Sequence, residues 1–317
     1  MLTHLIILLS ESSVSYCRMN NSKIDESLMP LETLKAAILF GLKENLSFQF
    51  VYPKAVLPND YIKVINSVNG VKVKPCYAEN LEDADIIVCD SATELKDFKE
   101  FSYDKIMVLR TKYKDFIGEA NNIGDFLVDV TRLNVYLTDV ENFHENDCEE
   151  YKKSLQLISN KIIKAYKIGQ KPQFNLLTDR IQLSSMNNCN AGIKNITIAP
   201  NGKFYICPAF YYSNNENSCG DLKLGLDIKN KQLLKLEKSP ICRICDAYHC
   251  SRCIWLNAHL TWDINTPSRQ QCIISHTERN ASRELLINLQ KLNILEEKET
   301  IKEIQYLDPF DLIRYKI

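Results

Sequence analysis

The chain lacks the loops that commonly hold a nucleotide. Its 317 residues include only nine glycines, and they form no G-x-G-x-x-G or Walker-type phosphate loop. It lacks an excess of either charge: 39 Lys and Arg against 40 Asp and Glu give a formal net charge of −1. Nothing in that balance draws nucleic-acid phosphates or an anionic membrane surface, so neither partner is expected. It also lacks a long hydrophobic run, since no stretch approaches the roughly 20 apolar residues of a membrane span. The opening MLTHLIILLSESS has no basic n-region and no small-residue cleavage site, and reads as a buried first strand rather than a signal peptide. Together these absences point to a cytoplasmic protein whose thiols stay reduced.

What the chain has is cysteine, twelve in all. Cys17, Cys76, Cys89 and Cys148 are scattered over the first 188 residues and read as small buried hydrophobes. The other eight fall between Cys189 and Cys272, with Cys242, Cys245, Cys250 and Cys253 inside the run ICRICDAYHCSRCIWL. A disulfide framework suits a small secreted domain, and this chain is neither small nor expected to be secreted. Metal ligation is the better account. Eight thiolates divide naturally into two four-thiolate sites, and four thiolates suit an iron–sulfur cluster or zinc alike.

The first ~145 residues alternate short apolar runs with amphipathic stretches, the pattern of βα units around a mainly parallel sheet. Strands are expected at LIILL (5–9), FQFVY (48–52), IIVC (86–89), IMVL (106–109) and FLVDV (126–130). Pro30 opens a helix with Leu31, Leu34, Ile38 and Leu42 on one face. Asp147 and Glu150 form a D-x-x-E capping box ahead of a helix striped with Tyr151, Leu155, Ile158, Ile162 and Ala165, ending before Gly169. Beyond residue 189 the texture changes. ITIAPNGKFYICP is two alternating runs joined by Pro-Asn-Gly, a hairpin that delivers Cys207. A helix with Leu285, Leu286, Leu289 and Leu292 closes the region. Three parts are expected: an α/β domain over 1–170, a metal domain over 171–300 and a tail over 301–317.

The spacing of the second group of cysteines carries a resemblance. Cys189, twelve residues, Gly202, four residues and Cys207 are followed by Cys242-x2-Cys245-x4-Cys250-x2-Cys253 and then Cys272. This resembles the SPASM domain of radical S-adenosylmethionine (SAM) peptide maturases, usually C-x(9–15)-G-x4-C, C-x2-C-x5-C-x3-C and C. Two spacings are one residue short here. The resemblance implies two auxiliary [4Fe–4S] clusters. One would be held by Cys242, Cys245, Cys250 and Cys272, the other by Cys189, Cys207 and Cys253, with Cys219 as candidate fourth ligand. Wider wording narrows the resemblance: SVSYC, LETLKAAILFGLKENLSFQFVYP, CDAYHCSRCIWLN and NTPSRQQCIISHTERNASRELL are similar to the CXXX repeat peptide maturases, which act on small ribosomally made peptides. The implied fold is α/β: a degenerate, partial radical-SAM-like βα barrel followed by a Cys-rich SPASM-like α+β metal domain.

One motif of that family is missing. A radical SAM enzyme holds its catalytic cluster with C-x3-C-x2-C after the first barrel strand. In SSVSYCRMNNSKID, Cys17 stands at the first place, but Asn21 and Ile24 occupy the other two. One thiolate cannot hold that cluster, so no self-sufficient radical SAM enzyme is expected. His249 and His276 neighbour the cysteines and read as structural, because no paired base or nucleophile accompanies them. Trp255 and Trp262 read as packing around the metal region. Two functions stand. In the first, the chain is a cluster-bearing component in maturation of a cysteine-repeat precursor peptide, beside a separate radical SAM enzyme. In the second, it is a non-catalytic adaptor, stapled by zinc or iron–sulfur, that presents the peptide.

Overall fold

The computed structural model describes residues 1–95, 98, 105–213, 216–296 and 300–303. Of the expected tail, 304–317 lies outside the described residues. The chain begins β1 (His4–Leu8), α1 (Leu31–Lys43), β2 (Ser47–Val51), α2 (Asn59–Ile65), β3 (Gly70–Pro75), β4 (Ile86–Cys89) and α3 (Ala92–Leu95). It continues β5 (Ile106–Thr111), α4 (Tyr113–Gly118), α5 (Ala120–Leu127), β6 (Arg132–Leu137), α6 (Cys148–Lys167), β7 (Gln173–Phe174) and α7 (Thr178–Gln182). The rest is β8 (Asn195–Ile198), β9 (Phe204–Tyr205), α8 (Pro208–Ser213), β10 (Gly220–Asp221), β11 (Gly225–Leu226), α9 (Ile254–Thr261) and α10 (Arg269–Lys291). The strand order of the nine-stranded sheet is β7-β6-β5-β4-β3-β2-β1-β8-β9. Strands β8-β1-β2-β3-β4 pair parallel, as do β5-β6-β7, and β9 returns antiparallel beside β8. This is the mixed α/β architecture that the alternating sequence pattern predicts.

Two compact units are each built from two chain segments, Met1–Val88 with Asn190–Lys238, and Cys89–Cys189 with Ser239–Ile317. In the first, Leu5, Ile7, Phe48, Phe50, Ile196, Ile198 and Phe204 form one apolar core. Burying each such side chain contributes about 1.5–3 kcal/mol. α1 packs closely because Gly41 has no side chain: a Cβ there would lie 2.3 Å from the Phe48 ring. Its buried stripe is Leu34, Ala37, Ile38 and Gly41, so the expected Leu42 turns outward, 55% exposed. The Pro-Asn-Gly hairpin forms as β8–β9, with Gly202 at φ +72° supplying the left-handed turn.

In the second unit α6 buries the expected stripe of Tyr151, Leu155, Ile158, Ile162 and Ala165. Tyr151 sits among Phe116 and Phe143, with ring centroids 5.4 and 5.6 Å away. Two local expectations fail. FLVDV is not a strand: Phe126 and Leu127 are the end of α5, whose buried face runs back through Ile123 and Ala120. A five-residue apolar run has no period long enough to separate the two structures. The strand lies just beyond, in RLNVYL, where burial alternates. The Asp147–Glu150 capping box does not form either. The Asp147 carboxylate instead accepts from the His144 N–H at 2.8 Å, closing the preceding 3-10 turn.

Candidate metal centre

Local backbone turns gather four thiols in the second unit. Cys242 opens a single 3-10 turn, Cys242–Ile244, and the Cys245 N–H donates back to the Cys242 carbonyl at 3.2 Å. Two tight bonds then fold the four-residue loop onto itself, Tyr248 N–H to the Asp246 carbonyl (2.8 Å) and Cys250 N–H to the Ala247 carbonyl (2.9 Å). Ser268 caps α10 by accepting from the Gln271 N–H at 3.2 Å, which sets Cys272 in the helix's first turn. The result is one cavity lined by Cys242, Cys245, Cys250 and Cys272, with Gln271 and His276 completing the wall. These are the four cysteines that the resemblance assigns to a single cluster.

Burial governs the electrostatics of this site. Desolvation pushes the Cys242 thiol up to about 11 and Cys245 up to about 12, and it raises Cys272. Neighbouring thiols add to this, Cys250 acting on the other three, Cys242 on Cys245 and Cys272, and Cys245 on Cys272. Cys242, Cys245 and Cys272 therefore resist ionisation unless a cation lies among them. A metal supplies that charge and deprotonates its ligands outright. The donor set therefore fits a thiolate-held metal group, with sulfur at all four corners and no carboxylate. Among the described residues, no three of these sulfurs all lie within 4.8 Å of one another.

The residues around the ligands are polar, buried and paired. Asp246, next to Cys245, accepts from Arg279 Nε and Nη2 at 2.8 and 2.7 Å, and from Arg180 Nη2 at 3.4 Å. Arg279 is fully buried, and Arg180 lies 4.5 Å over the Tyr248 ring. Burial alone would raise the Asp246 pKa, but the two guanidiniums outweigh it and hold the carboxyl below its usual range. His249, next to Cys250, has Nε2 3.0 Å from Glu278 Oε2, and the Tyr151 hydroxyl donates to Glu278 Oε1 at 2.6 Å. Sequence reasoning reached His249 and His276 but missed Asp246, Gln271, Glu278 and Arg279. The available signal was QQCIISHTER, a polar stretch at a helix start that the structure buries almost throughout. A polar helix face is buried only when its groups find partners.

The other expected ligands are distributed differently. Cys189 is exposed, but its N–H donates to the Ser251 carbonyl at 2.9 Å, so the 187–189 segment runs beside the cysteine loop. Cys253 is the N-cap of α9, its sulfur accepting from the Leu256 N–H at 3.5 Å. Both belong to the second unit. Cys207 and Cys219 belong to the first. Cys207 lies between β9 and α8, half-buried, whereas Cys219 joins the apolar core and burial pushes its thiol up to about 11. His249 is paired as described. Trp255 is buried and stacks on His259 with centroids 5.1 Å apart, while Trp262 is 93% exposed and so does not pack over the site.

The loop after β1 is closed by hydrogen bonds among its own residues and α8. Asn21 Nδ2 donates to the carbonyls of Glu11 (2.8 Å) and Ser13 (2.9 Å). Lys23 pairs with Glu11 at 2.6 Å and lies 3.5 Å over the Tyr211 ring, whose hydroxyl donates to Glu11. Burial, reinforced by Glu11, drives the Tyr211 hydroxyl far above its usual range. Ile24 is 95% exposed and Cys17 is half-buried. The second place of the missing triad is thus a loop staple, and the third faces outward.

No family model and no curated protein matches the chain. Among solved structures it is similar to polyhistidine-tagged anSMEcpe with bound AdoMet, at TM-score 0.61 and 13% identity, covering 92% of this chain and 100% of that one. Native anSMEcpe with bound AdoMet and Cp18Cys peptide matches at TM-score 0.61 and 12% identity, over 91% and 99% of the two chains. Streptococcus suis SuiB bound to precursor peptide SuiA matches at TM-score 0.43 and 12% identity, over 67% and 61%, and adds no argument. At such identities the likeness speaks to fold: the chain has the α/β fold of anSMEcpe, with a Cys-rich C-terminal region.

Proposed function

We propose that the chain is an auxiliary [4Fe–4S]-bearing component in the maturation of a small, ribosomally made cysteine-repeat peptide, acting beside a separate radical SAM enzyme. The observation that carries this reading is the gathering of Cys242, Cys245, Cys250 and Cys272 around one cavity, in a chain whose β1 loop has no thiolate triad. A similar fold occurs in anSMEcpe, which has been crystallised with AdoMet and a peptide, and that supports a peptide as the partner. When bound, a cluster held by four thiolates would supply one-electron chemistry; an open iron for a substrate thiolate would require a cluster with only three protein ligands. This chain's own residues would hold it: Cys242, Cys245, Cys250 and Cys272 as ligands, the Asp246–Arg279 and His249–Glu278 pairs as fixtures of the loop. The second proposed cluster draws on Cys189, Cys207 and Cys253, with Cys219 as its candidate fourth ligand.

Zinc in a metal-stapled adaptor is the second reading. A zinc ion held by four thiolates, with Zn–S of about 2.3 Å, puts its sulfurs roughly 3.8 Å apart, and the sulfurs here are not gathered so tightly. Protein isolated without oxygen and reconstituted should be brown and hold about eight iron and eight acid-labile sulfide per chain, from two four-thiolate clusters. Stoichiometric zinc without sulfide in the same preparation would establish the adaptor.

A further inference from the structure

Helix α10 meets the Cys245–Cys250 loop at four places. Glu278 and Arg279 bond His249 and Asp246, the neighbours of the ligands. Gln271 and His276 reach the sulfurs themselves: Gln271 Nε2 is 3.8 Å from Cys250 Sγ, and His276 Nε2 is 3.7 Å from Cys245 Sγ. Both side chains are buried, Gln271 at 5% and His276 at 2% exposure. The Gln271 amide is oriented by its nitrogen, which also donates to Ser275 Oγ at 2.9 Å. Its carbonyl oxygen is buried and has no hydrogen-bond partner. Spacings of three and four place 271, 275 and 278 in one row and 272, 276 and 279 in the next, so one helix face carries a ligand and every contact to the loop.

We propose that Gln271 and His276 are positioning residues that donate hydrogen bonds to the Cys250 and Cys245 sulfurs of a [4Fe–4S] cluster and raise its reduction potential. The inference rests on the cluster reading given above. A [4Fe–4S] core in its 2+ state with four thiolates carries a net charge of −2, and one added electron takes it to −3 with no bond broken. An N–H aimed at a ligand sulfur stabilises the more negative state more, and does so strongly where water is excluded. Outer contacts to Asp246 and His249 hold the loop but do not touch sulfur, so they belong to a different class of effect. The Ala247 N–H, 3.4 Å from Cys245 Sγ, gives a backbone contribution that every side-chain variant retains.

The test is a potentiometric titration with dithionite as electron donor, followed by the EPR signal of the reduced cluster. A Cys207→Ser background removes a ligand of the other proposed cluster, leaving about four iron per chain. Gln271→Leu and His276→Leu should each lower the midpoint potential, and the double variant should lower it further. His276→Gln keeps an N–H donor and should recover most of the loss. Tyr151→Phe, which alters only the far side of Glu278, should leave the potential unchanged. Iron-loaded leucine variants titrating at the parental potential would overturn the inference alone. Leucine variants that no longer hold iron would make these residues structural, which also overturns it. A parent chain that takes up no iron would overturn the cluster reading itself, and this inference with it.

Discussion

Asn21 shows what one residue does when a ligand position is given up. Where a triad thiolate would reach for iron, its amide bridges the carbonyls of Glu11 and Ser13, one of several contacts that close the loop. Removing it takes a donor from the Glu11 carbonyl and leaves Ser13 with the Tyr212 hydroxyl at 3.2 Å, a loss of about 1 kcal/mol. Asn21→Ala should lower the urea midpoint accordingly. Asn21→Asp should cost at least as much, because a carboxylate then faces two carbonyl dipoles. An unchanged midpoint in both would show that the loop does not depend on the staple. Asp83 is a second case, in the same unit, accepting from Lys72 Nζ at 2.9 Å and Lys74 Nζ at 2.5 Å. Burial would raise its pKa, but the two ammonium groups outweigh burial and lower it. The folded state therefore binds fewer protons than the unfolded one near that pKa, and the stabilisation is present above the unfolded value of about 3.9. It is lost as pH falls through the lower folded value. The stability gap between wild type and Asp83→Asn should narrow steadily from about pH 5 to about pH 3; a gap independent of pH would remove the ion pair from the account.

At the scale of elements, α10 is the scaffold of the candidate centre. Its N-terminal half carries Cys272 and buries Gln271, His276, Glu278 and Arg279, whereas its C-terminal half buries Leu285, Leu286 and Leu289. The expected Leu292 falls just beyond the helix and is 42% exposed. The polar half depends on its pairing with the cysteine loop. Arg279→Leu leaves the half-buried Asp246 carboxylate with Arg180 at 3.4 Å as its remaining guanidinium. Losing the two charge-assisted bonds costs about 1.5–3 kcal/mol, and here the loss falls on the loop between Cys245 and Cys250. The variant should therefore unfold at lower urea and bind iron more weakly, both measured against wild type. The Arg279→Lys variant should recover little, because an ammonium cannot reproduce the two-point contact to the carboxylate.

For the whole molecule, the fold of anSMEcpe comes without the residues that hold a radical SAM cluster in the β1 loop. Purified alone, with strong reductant and reconstituted clusters, the protein should yield no 5′-deoxyadenosine from S-adenosylmethionine, followed by chromatography of the products. Modification of a cysteine-repeat peptide should require an added enzyme with the intact triad, and should fall when Cys245 is replaced. Cofactor cleavage by this chain alone would falsify the degenerate-loop reading.

The sequence alone determined the α/β class, because buried parallel strands read as short apolar runs between amphipathic helices. The density of cysteines after Cys189 drew attention to that part of the chain, and four of them, Cys242, Cys245, Cys250 and Cys272, line one cavity. The sequence placed β1, β2, β4 and β5 within a residue or two, and the β8–β9 hairpin through its Asn-Gly turn. Only the tertiary structure decided the rest. FLVDV is helical because its apolar residues complete a face begun at Ala120. β3 is a strand despite its lysines because Lys74 is buried against Asp83. The partners of Asp246, His249 and the sulfurs stand on α10, some 20 to 30 residues away in sequence. Periodicity reports which face of an element is apolar, but the pairing of buried polar groups depends on which elements meet, and local sequence does not encode that.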